Sequence, residues 1–140
     1  MAIADDLNSS AELCANAADA ATTKLIDLGP RPADPAAAAV WDHQDTLLKN
    51  NISVLNNVSS TLSAVIVSNA LQQVWPNLQG LSDETNSAQG DINAIADISK
   101  AMVKLASIID FGVAVVALAA QPTPGSAGAV VTAFGKMIAS

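Results

Sequence analysis

Residues 105–120 read Leu-Ala-Ser-Ile-Ile-Asp-Phe-Gly-Val-Ala-Val-Val-Ala-Leu-Ala-Ala, a sixteen-residue run in which Asp110 is the one charge. A helix of this composition has no polar face to present to water, so it must be covered on nearly all sides. The rest of the chain offers little bulk to cover it. Its 140 residues include 28 alanines, two phenylalanines and no tyrosine, which favours helix and leaves few of the aromatic residues that enrich strands. An all-α fold is expected. Alanine lets helices approach closely, yet each buried alanine removes little area from water at roughly 25 cal/mol per Å2. A core of this kind calls for long helices or for partners.

Periodicity divides the chain into four helices. Ile3, Leu7, Ala11, Cys14, Ala18, Ala21, Leu25 and Leu28 recur at three- or four-residue steps, which predicts an amphipathic helix over about 3–28. Gly29 suits a left-handed C-terminal cap, and the three prolines in the linker 29–35 cannot continue a helix. Asp34 followed by Pro35 reads as a new helix start, with the carboxylate capping free N–H groups and proline in the first helical position. The second helix is expected over about 35–75, with Trp41, Leu48, Leu55 and Leu62 at heptad spacing as its packing seam. Its length, on the order of 60 Å, exceeds a compact globule. Residues 76–87, which contain Pro76, Gly80 and the polar run Ser82–Ser87, read as a polar turn. A third helix follows over about 88–120, with Ala88, Ile95, Met102, Ile109 and Val116 seven residues apart. A turn at 121–127 leads to a short fourth helix over about 128–139. The resulting expectation is one elongated antiparallel bundle of three long helices, closed by a short C-terminal helix as a hairpin.

Composition also excludes function classes. Six Lys and Arg against thirteen Asp and Glu give a net charge of −7, the wrong sign for a phosphate backbone, so no nucleic-acid partner is expected. One cysteine and one histidine leave no clustered thiolate or imidazole ligands, and no metal or other cofactor is expected. His43 lies between Asp42 and Asp45, but helical neighbours share a face at three and four residues, which places His43 with Leu47. With no nucleophile elbow and no glycine-rich phosphate loop, an enzyme is not expected. Cys14 reads as a small core hydrophobe. Residues 1–6 carry two acids and no base, and no apolar run follows them. The expectation is no cleavable signal, and hence a cytoplasmic protein or one exported by a signal-independent route.

What remains is a surface to be hidden. Met102, Leu105, Ile109, Asp110, Phe111, Val116, Phe134, Met137 and Ile138 are the candidate assembly or membrane-insertion surface. Asp110 needs a partner, water or a proton, because burial of its charged form is expensive. Residues 105–120 fall short of the roughly twenty that span a bilayer, which argues against a constitutive membrane hairpin. The leading expectation is a non-enzymatic helical bundle that joins copies of itself, or a helical partner, through apolar heptad faces. The alternative is a membrane-active, pore-forming or toxin-like protein whose segment 105–138 inserts on a trigger, and a carrier of an apolar ligand is a third class.

Overall fold

The computed structural model describes residues 3–63, 81–121 and 123–139, with side-chain surroundings for 10–63, 83–121 and 123–139. All regular structure among these residues is helical: α1 (Ile3–Asp27), α2 (Pro35–Ser63), α3 (Leu81–Ala94), α4 (Ile98–Ala120) and α5 (Pro124–Ala139). The apolar helix α4 packs against each of the other four, while α1 packs against α2, α3 and α4.

The first break forms as its local chemistry dictates. Gly29 adopts φ +67°, and its N–H reaches the Ile26 carbonyl at 3.1 Å, closing the last turn of α1. Asp34 Oδ2 accepts from the Ala37 N–H at 2.9 Å, which caps α2 ahead of Pro35. The linker is clasped to α2 by two side chains. Arg31 donates from Nε and Nη2 to the two Asp42 oxygens at 2.9 and 3.0 Å, and the Trp41 indole N–H donates to the Gly29 carbonyl at 3.2 Å. Helix α2 then runs through the Asn-rich stretch with Leu48, Leu55, Val58 and Leu62 inward and Asn50, Asn56 and Asn57 exposed. The part of the expected second helix beyond Ser63 lies outside the described residues.

Three boundaries differ from the sequence reading. Residues 81–87 are helical rather than a turn, because Thr85, Ala88 and Ile92 point inward one or two turns apart, and Asp83 and Glu84 in the first turn complement the helix dipole. Residues 76–80 lie outside the described residues. The expected single helix over 88–120 is two helices separated at residues 95–97. Asp97 is extended at φ −79° and ψ 115° and accepts from the Ser99 N–H, so α4 starts with its own cap and needs no turn from α3. The turn expected at 121–127 is shorter, since α5 begins at Pro124. Thr123 Oγ1 accepts from the Ser126 N–H and Ser126 Oγ from the Thr123 N–H, both at 3.0 Å, a reciprocal capping pair with proline in the first helical position.

The core is built by small residues of α1 lying against larger ones from α2 and α4. Ala11, Ala17, Ala18, Ala20 and Ala21 are buried with Leu13, Cys14, Leu55, Leu105, Ile108 and Phe111. Three helices come together at Gly112, where an added Cβ would lie 2.6 Å from Val58 Cγ1 and 3.1 Å from Cys14 Sγ. The absent side chain at that position is what lets α4 sit against α1 and α2 together.

Candidate interaction surface

Helix α4 buries one face: Ala101, Leu105, Ile108, Phe111, Gly112, Val115 and Leu118 point into the core. Turned away from it lies a second apolar row. Met102, Ala106, Ile109, Val113, Val116 and Ala120 follow one another at steps of four, three, four, three and four, the spacing of a coiled-coil seam. Met102, Ile109 and Val116 are half-buried, and Ala106, Val113 and Ala120 are exposed. Val113 leaves 48% of its surface in water and Val103, beside the row, 63%. The five described helices therefore cover one face of α4 fully and the heptad-spaced row only in part: Met102, Ile109 and Val116 also pack against the core, while Ala106, Val113 and Ala120 are open to water.

The residues proposed for this surface from sequence divide between the two faces. Leu105, Phe111, Phe134 and Met137 are buried within the chain, and the Phe111 and Phe134 rings meet at 5.6 Å between α4 and α5. Met102, Ile109 and Val116 lie on the outward row, and Ile138 of α5 is 48% exposed. Asp110 is exposed. It lines an open groove of about 290 Å3 between α4 and α5, together with Ser107, Gly125, Thr132 and Lys136, so it faces water rather than the core. Along α2, Leu48, Leu55 and Leu62 share the buried stripe, whereas Trp41 is half-buried and clasps the linker.

Two buried lysines escaped the sequence reading. Lys24 of α1 is 4% exposed and its ammonium donates to the Asn93 carbonyl at 3.2 Å and to the Ile95 carbonyl, satisfying the C-terminal end of α3. Lys104 of α4 is 5% exposed, pairs with Glu84 of α3 at 3.3 Å and donates to the Met137 carbonyl of α5 at 2.8 Å. Their signal in the sequence was a cation on the apolar side of a helix, which resembles a surface residue unless the register is known.

Nothing at His43 resembles a general base with its orienting acid. The imidazole is exposed, Asp42 is held by Arg31, and Asp45 pairs with Lys49 at 3.0 Å. The Arg31 guanidinium hydrogen-bonded to Asp42 lowers that carboxyl below its ordinary range. Burial pushes the Cys14 thiol up from 9.0 to about 12, which keeps it protonated and a poor nucleophile. Among the described residues no group of three or more His, Cys, Asp or Glu is placed to hold a metal ion.

Helix α4 is 23 residues long, since it begins at Ile98, about two turns before Leu105, and so exceeds the roughly twenty residues that span a bilayer. Among the described residues it is the one helix long and apolar enough, by length and composition, to cross a membrane, and less than half of its apolar window is buried. The core helix of a soluble protein meets the same criteria. No family model matches this chain, and no curated protein or solved structure matches it either.

Proposed function

We propose that this chain is a non-enzymatic assembly protein, an elongated antiparallel helical bundle whose copies associate through the outward face of α4. The observation that carries the reading is the partly exposed row Met102, Ala106, Ile109, Val113, Val116 and Ala120, whose spacing matches that of helices packing knobs into holes. Ala106 and Ala120 within it permit close approach, and Val103 and Ala117 widen the strip. An apolar face of this regularity is an association surface by the same physics that hides residues 105–120. A helix of a different protein, presenting a like row, is the other occupant the spacing would accept.

Val113→Asp tests the reading, because the side chain is half in water and the substitution leaves the core untouched. Analytical ultracentrifugation should show an oligomer for the unmodified chain and a monomer for the variant, with equal helix content by circular dichroism. A monomeric unmodified chain, or a variant that assembles as well, contradicts the proposal.

The length and composition of α4 favour one second reading, a membrane-active protein in which α4 and α5 insert as a hairpin on a trigger. In that reading the exposed Asp110 and the buried ion pair of Lys104 with Glu84 are the charges on and beside α4 that oppose insertion. Release of a trapped dye from anionic vesicles at neutral and acid pH separates the two. The assembly reading expects none at either pH.

A further inference from the structure

We propose that α3 is a detachable strap whose release loosens the junction of α4 with the end of α5. Helix α3 packs on α1 through a narrow apolar stripe, Ala88 and Ile92, and is anchored at both ends by polar contacts. Of its described side chains only Thr85, Ala88 and Ile92 are buried, against nine on α4. Its sequence is rich in Asp, Asn, Ser and Thr and contains Gly90, residues of poor helix propensity. Fourteen such residues do not hold a helix in water without tertiary support.

Beside that stripe, three polar side chains from the helices beneath hold it. Asn16 donates to the Thr85 carbonyl at 3.1 Å. Lys24 donates to the Asn93 and Ile95 carbonyls at the other end. Lys104 pairs with Glu84 in the first turn. Few buried apolar groups and a polar anchorage mark α3 as the part of the fold that opens first. Its lifting would uncover Leu13 and Ala20, which are fully buried and lie about one turn to either side of Asn16 on the stripe that leads to Lys24.

The coupling runs through Lys104. Its ammonium joins Glu84 of α3 to the Met137 carbonyl at the C-terminal end of α5. Once α3 lifts, the buried ammonium loses its counter-charge, a state more costly than turning the side chain to water. Turning it releases the Met137 carbonyl, and the last turn of α5 comes loose from α4. Opening of a polar helix is thereby transmitted to the apolar pair, whichever surface that pair presents to a partner or to lipid.

Native-state hydrogen exchange on the full chain at low denaturant is the test. Amides of 81–94 should exchange about tenfold or more faster than those of α2, through an opening less denaturant-sensitive than global unfolding. Exchange of α3 only in one global step with the other helices would overturn the proposal. In Glu84→Gln, protection should fall by a similar factor in α3 and also at 134–139, leaving α2 unchanged. Lys104→Met, which removes the same bond to the Met137 carbonyl, should loosen 134–139 by itself and add little further loosening there when combined with Glu84→Gln. Loosening of α3 with the end of α5 unaffected in Glu84→Gln overturns the coupling. If Glu84→Gln does not fold, the order of opening in the unmodified chain decides.

Discussion

Gly112 and Cys14 show how much of this fold turns on single side chains. At Gly112 the nearest obstacle to a methyl group is the branched Val58 side chain at 2.6 Å, which has no free rotamer to yield within a packed core. Gly112→Ala is therefore expected to destabilise the protein by about 1–3 kcal/mol, measured by urea denaturation. Combined with Val58→Ala, which removes the clashing atom, the loss should be smaller than the sum of the two single losses. Strict additivity would mean that the contact is not the cause. Cys14 gives a pH dependence whose sign follows from burial. Its thiol ionises near 9.0 in the unfolded chain and near about 12 in the fold. Below pH 9 both states keep the proton and stability is unaffected. Between these values only the unfolded state releases it, so stability declines as pH rises and the decline from this group ends near pH 12. Cys14→Ala should flatten the alkaline slope in denaturation curves taken from pH 8 to 11, and an unchanged slope would refute the assignment.

Helices whose ends are written in local chemistry were readable; helices whose ends depend on neighbours were not. Gly29, Asp34 and Pro35 fix the α1–α2 break because each acts on its own backbone, through a positive φ, a capping carboxylate and a missing N–H donor. The α3–α4 break contains neither Gly nor Pro, and the seven-residue row Ala88, Ile95 and Met102 passes straight through it. What separates the helices is Asp97 at the start of one and Lys24, distant in sequence, at the end of the other. The first half of α3, residues 81–87, reads as a turn because of its polar run Ser82–Ser87, in which Thr85 is the one described side chain that is buried. The start of α5 was hidden in the opposite way, since Thr-Pro-Gly-Ser has the composition of a loop yet forms a reciprocal cap. Asp97→Ala is expected to cost about 1 kcal/mol and to raise amide exchange at residues 99–101 before the rest of α4. Unchanged exchange there would show that α4 is held by packing alone. The candidate surface was half-readable for a related reason. A heptad count found Met102, Ile109 and Val116, but Leu105 and Phe111 lie on the adjoining face that α1, α2 and α5 cover, and only the packed structure separates the two.

Among the described residues, the five helices bury one face of the apolar helix α4 and leave its heptad-spaced row partly in water. The apolar excess of the composition is thus only partly hidden among the described residues. A buried core rich in alanine stabilises a chain of this size modestly, and burying the outward row of α4 in an assembly would add to it. Stability should then depend on concentration: the thermal midpoint is expected to rise with protein concentration for the unmodified chain and to stay constant for Val113→Asp. The decisive observation is the solution mass from light scattering coupled to size exclusion, across a concentration series with and without mild detergent. The account predicts a defined oligomer whose protein mass detergent leaves unchanged. A monomer at every concentration, or one that assembles only within a detergent belt, would contradict it.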